Sequence, residues 1–254
     1  MRIGCNITNV ESLDQLMLMH PFKTVQFYTH NTKPFERTLT DEELKYISSL
    51  ELTMYVHSTF NTIMDQYYGR NLFNKQFELC EKYGVKGIIL HIPNRPLDEL
   101  VAGFKSINDP AMHGKNTIIF LEHVPGNYGS SISKVYELCT KLSSKYTGYK
   151  FGICVDTCHM YVSGVDLGDR NNMIQLVNTL KTYKAPILIH LNDSHGEFGS
   201  MIDMHAPYGT RIWTDDNSAL QLLMSQPWDA IIELRKLEDI DACLKYIKNL
   251  NISS

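Results

Sequence analysis

No apolar run in this chain approaches the roughly 20 residues that a membrane-spanning helix needs. The first ten residues, MRIGCNITNV, also lack the continuous apolar stretch of a secretory leader. Internal repeats and low-complexity tracts are missing as well. With 254 residues, of which 43% are apolar, the chain can bury one substantial core. We therefore expect one domain over residues 1–254 and no membrane partner.

Cysteines are few, and the six of them are scattered along the chain. Two, Cys154 and Cys158, lie four positions apart in one predicted strand end, where a disulfide would distort the backbone between them. We therefore expect reduced, buried thiols. Reduced thiols are typical of intracellular proteins, so the cysteines predict an intracellular location.

The chain also lacks a strong excess of either charge. Its 28 acidic residues outnumber its 24 basic ones by four, and four of the acidic residues are proposed below as metal ligands. Bound divalent cations would make the face that holds them positive. Net charge therefore neither favours nor excludes a nucleic-acid partner.

Strand-like apolar runs alternate with segments of helical periodicity along the chain. Eight strands alternating with eight helices are the pattern of an α/β (β/α)8 TIM barrel. We predict strands at residues 2–8, 24–29, 53–58, 87–92, 117–124, 151–156, 187–192 and 230–234, and helices at 12–18, 40–49, 69–83, 97–104, 131–145, 170–183, 216–224 and 240–248.

Local signals support these boundaries. Thr40 followed by Glu43 predicts a capping box at the start of the second helix. Gly84 and Gly148 follow helical segments, and we expect each to end its helix in a left-handed conformation.

Ligand-type side chains end six of the predicted strands, and two loop segments add three more. The carboxyl ends of parallel barrel strands all lie on one face, so side chains at those ends can meet. The candidates for one metal cluster at that face are His57, His91, Glu122, Asp156, His159, His190, Asp203, His205 and Glu233.

Each of these nine groups is an imidazole or a carboxylate. That set suits zinc, and also iron or manganese, whereas the lack of thiolates argues against an iron-sulfur cluster or a Cys-rich structural zinc site. A single His or acid at a strand end is most often a hydrogen-bonded barrel residue. Nine together predict catalytic metals.

The two segments richest in these residues are also the most distinctive. They read GICVDTCHMYVSGVDL at 152–167 and HLNDSHGEFGSMIDMHAPYG at 190–209. In these segments, and in VHSTFN, LHIP, LEHVPGNYGS and IIELR, the chain resembles the endonuclease IV family, the zinc-dependent apurinic/apyrimidinic (AP) endonucleases of base-excision repair. The likeness covers predicted strands three to eight in order.

The resemblance implies three zinc ions at the carboxyl face of the barrel. The residue chemistry also admits manganese or iron at one or more of the sites. The implied ligands are His57, His91 and Glu122 for one ion, Glu122 again with Asp156, His190 and Glu233 for the second, and His159, Asp203 and His205 for the third.

The implied activity is hydrolysis of the phosphodiester 5′ to an abasic site, leaving a 3′-hydroxyl and a 5′-deoxyribose phosphate. A phosphodiester is anionic and poorly electrophilic, so it needs a hydroxide at neutral pH and neutralisation of its charge, which clustered divalent ions supply. We expect Glu122 and Glu233 to position that hydroxide. The partner would be double-stranded DNA containing abasic sites, and the protein a monomer acting in the cytoplasm or wherever that genome resides.

Outside the ligands, the sequence departs from the family pattern. The family's Asn after the bridging glutamate is His123 here, and its Gly-Glu-Gly after the third zinc site is replaced by Gly209, Thr210 and Arg211. The second change predicts an altered loop beside the third ion.

The DNA-binding loops also differ. Where the family often carries Tyr-Leu this chain has Phe60 and Asn61, and where it usually presents Arg the chain has Lys33. Two interpretations are open for each residue: Phe60, with Asn61 beside it, is either an apolar wedge against the bases or an aromatic packed in its own loop, and Lys33 is either a contact to a backbone phosphate or a solvated loop residue. His195 lies close enough in sequence to the third site to reach phosphate. The histidines that we place on the surface or in loops are His20, His30, His113, His123 and His195.

Two other functions compete with the nuclease. Related barrels include sugar or sugar-phosphate isomerases and epimerases with one metal, for which Glu122, Asp156, His190 and Glu233 alone would suffice. A non-catalytic DNA-binding barrel is the third class, but it gives no reason to gather nine ligands. The metal content of the protein would separate the three.

Overall fold

Eight parallel strands close into a barrel within the part of the chain that the computed structural model describes, residues 1–30, 36–58, 68–106, 108–126, 128, 131–214 and 216–250. The barrel strands are β1 (Arg2–Ile7), β2 (Thr24–Tyr28), β3 (Thr53–His57), β4 (Gly87–Ile92), β5 (Ile118–His123), β6 (Lys150–Asp156), β7 (Ile187–His190) and β10 (Asp229–Ile232). They follow one another in chain order around the barrel, and β10 closes it against β1. The predicted α/β TIM barrel is confirmed.

Two short strands, β8 (Asp193–Ser194) and β9 (His205–Ala206), form a separate antiparallel sheet between β7 and β10 in the chain. The sequence analysis did not predict this pair, because two-residue strands leave no readable alternation. It joins Asp193 to Ala206 and Ser194 to His205. The pair therefore fixes one candidate ligand, His205, against the end of β7.

Helices cover the outside of the barrel in the described residues. They are α1 (Val10–Met19), α2 (Asp41–Ser49), α3 (Tyr68–Tyr83), α4 (Leu97–Gly103), α5 (Ile132–Lys145), α6 (Thr157–Val162), α7 (Arg170–Thr182), α8 (Ser218–Met224) and α9 (Leu237–Asn249). Eight of them correspond to the predicted helices, and α6 is an addition that begins directly after β6. Among the described residues, no helix combines the length and the apolar character needed to span a membrane.

The barrel interior explains why ligand-type residues end the strands. One inward-facing layer is formed by Tyr55, Ile89, Phe120, Cys154, Leu188 and Ile231. Successive side chains of a strand point to opposite faces, so the residue two positions later faces inward again. Those later residues are His57, His91, Glu122, Asp156, His190 and Glu233. An apolar layer therefore forms the floor beneath the candidate ligands.

Phe120 sits in the middle of this layer because two neighbouring strands carry glycine beside it. A Cβ added at Gly87 would lie 2.5 Å from Cε2 of Phe120, and one added at Gly152 would lie 2.7 Å from Cε1. Either side chain would displace the ring, since packed interiors have no space to absorb such a contact.

The capping prediction is confirmed, and one of the two glycine predictions is wrong. The Thr40 backbone N–H donates to the Glu43 carboxylate at 2.7 Å, and the Thr40 side chain accepts from the Glu43 N–H at 3.2 Å. Gly84 has a φ of +69°, as expected. Gly148 is not left-handed; a Cβ there would overlap the His113 ring, so ring packing is what requires glycine. All six cysteines are buried free thiols, as predicted.

The amino-terminal end of the barrel carries one buried carboxylate, that of Asp229. It accepts hydrogen bonds from Arg2 Nε at 2.7 Å, Lys86 Nζ at 2.8 Å and the Tyr55 hydroxyl. Two permanent cations and a phenol therefore neutralise this carboxylate within the protein.

Candidate metal centre

All nine predicted ligands belong to the described residues, and the structure brings them together at the carboxyl end of the barrel. Five lie in the last two positions of a barrel strand, and Glu233 follows β10 directly. His159 lies on α6, Asp203 lies just before β9, and His205 begins β9. Glu122, Asp156 and His190 are completely buried.

The first group centres on Glu122. Its Oε2 lies 3.0 Å from Nε2 of His57 and 3.0 Å from Nε2 of His91. Its other oxygen, Oε1, lies 3.0 Å from Nδ1 of His190. Glu122 thus stands between two sets of imidazoles, which is the arrangement that a bridging carboxylate needs.

The second group centres on His190. Its Nδ1 lies 2.9 Å from Oε2 of Glu233 and 3.9 Å from Oδ2 of Asp156. Its Nε2 lies 2.9 Å from Oε1 of Gln26. When Nε2–H donates to Gln26, the Nδ1 lone pair is left facing the three carboxylates.

The third group joins α6 to β9. Asp203 Oδ2 lies 3.1 Å from Nε2 of His159, and Asp203 Oδ1 lies 3.2 Å from Nε2 of His205. The His159 Nε2 is buried and makes no hydrogen bond within the described part of the chain, although the carboxylate oxygen is so near. A cation held between nitrogen and oxygen would satisfy both atoms, so these residues fit a metal.

Backbone carbonyls orient three of the imidazoles. Nδ1 of His57 lies 2.8 Å from the Ser58 carbonyl, and Nδ1 of His159 lies 2.7 Å from the His123 carbonyl. Nδ1 of His205 lies 3.1 Å from the Glu233 carbonyl. A proton on Nδ1 that donates to a carbonyl leaves Nε2 as the ligand atom, a common device in metal sites.

The electrostatics of the centre favour cations. Burial alone would raise the pKa of Glu122, but the charges of His190 and His91 outweigh it and hold that pKa well below its usual range. Burial would lower the pKa of His159, but the Asp156 and Asp203 carboxylates raise it to about 9. No Lys or Arg of the described residues pairs with the site's four carboxylates.

Two buried thiols lie beside this centre. The Cys154 thiol lies within the same inner layer, close to Glu122 and His190, and burial raises its pKa above the usual range. Burial likewise raises the pKa of Cys158 to about 12. Since a metal ligand has to be the thiolate, burial disfavours both thiols as ligands relative to the imidazoles and carboxylates.

Two amides that sequence analysis missed hold the carboxylates in place. Gln26 Nε2 donates to Oε1 of Glu233 at 2.6 Å. Asn192 Nδ2 donates to Oδ2 of Asp156 at 2.8 Å, and Asn192 Oδ1 accepts from the Glu233 N–H at 2.9 Å. The available signals were a buried Gln in the apolar strand TVQFY and an Asn two residues after His190.

Asp193 organises the loop that departs from the family pattern. Its carboxylate accepts from the backbone N–H groups of Thr210, Arg211 and Ile212 at 3.0, 3.0 and 2.8 Å. The altered loop is therefore anchored to β8, next to the pairing that holds His205.

His123 contradicts the prediction of a surface or loop position, whereas His20 and His30 lie in loops as predicted but are buried there. His123 is completely buried at the end of β5, where its Nε2 accepts from the Asp156 N–H at 3.1 Å. His20 is buried with Nε2 2.7 Å from Asp241 Oδ1, and His30 is buried beside Thr29. Each finds a polar partner in the fold, which a single sequence does not reveal.

The predicted DNA-binding residues Phe60, Asn61 and Lys33 lie outside the described residues, and their roles stay predictions. His195 is exposed in the β8–β9 connection. That connection also exposes four large apolar side chains, Phe198, Met201, Ile202 and Met204.

A cleft of about 900 Å³ opens above the centre. Its walls include all of the nine predicted ligands except Asp156 and His190, together with Tyr28, Met204 and Arg235. The Tyr28 ring lies 5.1 Å from the His57 ring, centroid to centroid. The centre is therefore accessible to a substrate from the carboxyl face.

Comparison with known proteins adds sequence and fold relationships. The model of the xylose isomerase-like TIM barrel family matches residues 17–248. A "Probable AP endonuclease" of African swine fever virus (isolate Tick/Malawi/Lil 20-1/1983) is 27% identical over 207 residues, which are 73% of this chain and 67% of that protein. A "Probable endonuclease 4" of Mycoplasma genitalium is 30% identical over 144 residues, which are 54% of this chain and 48% of that protein.

Solved structures share the fold across nearly the whole chain. Endonuclease IV from Thermus thermophilus superposes with a TM-score of 0.73 at 17% identity and covers 100% of both chains. A D-tagatose 3-epimerase-like protein reaches a TM-score of 0.69 at 20% identity, covering 98% of this chain and 96% of its own. Fold alone therefore does not separate a nuclease from a sugar epimerase.

Proposed function

The chain belongs to the xylose isomerase-like TIM barrel family, and from that premise we propose that it is a zinc-dependent AP endonuclease of base-excision repair. Its substrate is double-stranded DNA containing an abasic site. It hydrolyses the phosphodiester 5′ to that site and leaves a 3′-hydroxyl and a 5′-deoxyribose phosphate. It acts as a monomer inside the compartment that holds the genome. The relatives named AP endonuclease and endonuclease 4 support this assignment.

One observation carries the proposal: nine imidazoles and carboxylates converge on a single cleft. Two of the three predicted ligand sets, one around Glu122 and one around Asp203, have ligand atoms within 4.8 Å of one another. In the predicted second set, Glu233 and Asp156 approach the same nitrogen of His190. A single ion cannot use nine ligands, since zinc takes four or five. The count therefore favours a multinuclear centre.

His57, His91 and Glu122 would hold one ion, Glu122 with Asp156, His190 and Glu233 a second, and His159, Asp203 and His205 a third. When bound, such ions neutralise the phosphodiester, make hydroxide available near pH 7 and stabilise the leaving oxygen. Manganese or iron at some positions is compatible with the same donors.

The protein's own groups position the reaction. Glu122 and Glu233 approach the same atom, His190 Nδ1, at 3.0 and 2.9 Å, so both carboxylates face one small volume. There they accept hydrogen bonds from the attacking water, orient its lone pair toward phosphorus and hold its proton. Gln26 and Asn192 fix the Glu233 carboxylate and backbone, which keeps this geometry before the substrate arrives.

A second candidate is a single-metal sugar isomerase or epimerase. The observation that favours it is the compact set of Glu122, Asp156, His190 and Glu233, together with the fold shared with an epimerase-like protein. That reaction leaves His57, His91, His159, Asp203 and His205 without a role, so we rank it second.

The test is incision of a duplex that carries one tetrahydrofuran abasic analogue, which cannot undergo β-elimination. Metal content is measured on the same purified sample, before and after chelation. We expect chelator-sensitive cleavage 5′ to the analogue and nearly three metal ions per chain. No cleavage together with one metal ion per chain would move the assignment to the isomerase.

A further inference from the structure

Arg235 lies in the bend that follows β10, two positions after Glu233. Ile231 belongs to the inner layer, and Glu233 lies in the candidate centre. Ile232, between them, packs into the outer core. Arg235 lies beyond the end of β10 at Ile232, and it lines the cleft together with Glu233 and Leu234.

The charge of Arg235 sets it apart from the rest of the wall. The other ionisable groups that line the cleft are imidazoles, the Tyr28 phenol and the carboxylates of Glu122, Asp203 and Glu233. Among the described residues of this wall, Arg235 is the only Lys or Arg. Within the described part of the wall, it therefore supplies the permanent cationic side chain that a polyanion would meet.

The guanidinium of Arg235 also differs from three other arginines in its contacts with the described residues. Arg2 pairs with Asp229, Arg37 with Asp41 and Arg211 with Glu197. Arg235 makes no ion pair or hydrogen bond through its side chain to any residue that the structure describes. An arginine with no partner among the described residues keeps its planar, fork-shaped donors available for a ligand as far as that part of the chain is concerned.

Tyr28 lines the same cleft as Arg235. Burial raises the pKa of Tyr28 above its usual range, and the Arg235 charge opposes that rise. The Tyr28 ring packs on His57 at 5.1 Å. Arg235 therefore lines a cleft whose walls also include the ligands of the first group and Glu233.

We infer that Arg235 binds a backbone phosphate of the DNA next to the scissile bond and positions that bond over the centre. The inference rests on the proposed nuclease function. Arginine suits this role because its two parallel N–H donors match two phosphate oxygens. The guanidinium also stays charged, so it can pair with phosphate in a cleft rich in carboxylates. Arg235 acts as a positioning residue, since no bond forms or breaks at its atoms.

The test compares Arg235→Ala and Arg235→Lys with the wild type and with Arg170→Ala. Arg170 is a matched control, because it lies on the outer helix α7 and its loss changes the net charge equally. Binding is measured by fluorescence anisotropy over a series of salt concentrations. The probe is the product duplex, nicked 5′ to a tetrahydrofuran, which cannot be cut again at that site.

We expect Arg235→Ala to bind about tenfold more weakly, as expected for losing a charge-assisted hydrogen bond, and to lower the slope of log Kd against log salt by about 0.9. Arg170→Ala should keep the wild-type slope, and Arg235→Lys should recover the slope without full affinity. In incision assays Arg235→Ala should raise KM more than it lowers kcat. Equal slopes for Arg235→Ala and Arg170→Ala would overturn the inference.

The two proposals fail separately. If the wild type binds the duplex with an Arg235-dependent slope but does not incise the tetrahydrofuran substrate, the nuclease assignment falls and the phosphate contact stands. If the wild type incises and Arg235→Ala keeps the wild-type slope of log Kd against log salt, only the inference about Arg235 is wrong. If the wild type neither binds nor incises, both are overturned.

Discussion

The two ends of the barrel interior both hold buried carboxylates, and they neutralise them by different means. At the amino-terminal end, Asp229 is met by Arg2 at 2.7 Å, Lys86 at 2.8 Å and the Tyr55 hydroxyl. At the carboxyl end, Glu122 and three further carboxylates meet imidazoles, amides and, at Asp203, the Cys158 thiol, and none of them pairs with a Lys or Arg among the described residues.

The difference teaches what each end is built to do. A permanent cation on a flexible side chain neutralises a carboxylate without any bound ligand. The charge of Asp229 is therefore already neutralised by side chains of the protein. Imidazoles carry removable protons, and metal binding replaces those protons. The carboxyl end is therefore suited to accept divalent cations, and the amino-terminal end to stabilise the fold.

The largest expected effect comes from Glu122→Gln, which keeps the side-chain size and removes the charge shared by two ligand sets. We expect kcat for incision to fall by about 100- to 10,000-fold, the range for losing a group that handles a proton in the transition state. Metal content should fall as well. Glu137→Gln on the exposed surface of α5 is the control and should behave as wild type. If Glu122→Gln incised at the wild-type rate, the assignment of the active site to the carboxyl end of the barrel would be wrong.

His205→Ala should lose one metal ion per chain and most of the incision rate. The reason is that Asp203 and His159 would then hold the third ion with two protein ligands, fewer than zinc sites normally have. Metal content and incision rate are measured on one sample, with His113→Ala as the histidine control away from the centre. Three retained ions in His205→Ala would show that the third ligand set is misassigned.

Gln26→Ala tests a smaller effect, the orientation of His190 and Glu233. Outer partners of metal ligands are typically worth about 10- to 100-fold in metal affinity or activity, and we expect a loss of that size in kcat with little change in KM. Gln26→Glu places a carboxylate where the Gln26 Nε2 donor faces Glu233, so it should be worse than Gln26→Ala. If the two variants were equal and fully active, Gln26 would be only a packing residue.

Asp229→Asn should leave incision per folded molecule unchanged and lower the free energy of unfolding by about 2 kcal/mol, because Arg2 and Lys86 lose their buried counter-charge. Burial would raise the pKa of Asp229, but hydrogen bonds from Arg2, Lys86 and Tyr55 lower it overall. Since the folded pKa lies below the unfolded one, this stabilisation is present at neutral pH and is lost as pH falls through the folded pKa. Urea unfolding at neutral and acidic pH measures the free energy of unfolding at each pH. The difference between the two values should be smaller in Asp229→Asn than in the wild type. A catalytic defect in this variant would show that the two ends are not independent.

Sequence reasoning predicted the barrel and the position of the ligands because both depend on short-range patterns. Strand alternation places His57, His91 and Glu122 at strand ends, and the ordered segments around them identify the endonuclease IV resemblance, which the matches to AP endonucleases and endonuclease 4 confirm. It could not predict α6 or the β8–β9 pair, since their six- and two-residue lengths carry no readable period. The prediction for His123 was a surface or loop position. The sequence around a single His in a strand does not show whether its partner is water or a buried amide.

The sequence by itself determined the strand order, the inward face of each strand and the imidazole and carboxylate character of the carboxyl end, since these follow from periodicity and residue chemistry. Only the tertiary structure decided which groups share an ion-sized volume, which imidazole nitrogen is left for a metal, and that Gln26, Asn192 and Asp193 hold the site together. Those features depend on contacts between residues up to 207 positions apart, such as Gln26 with Glu233. Closing the barrel creates them, and no local pattern encodes them.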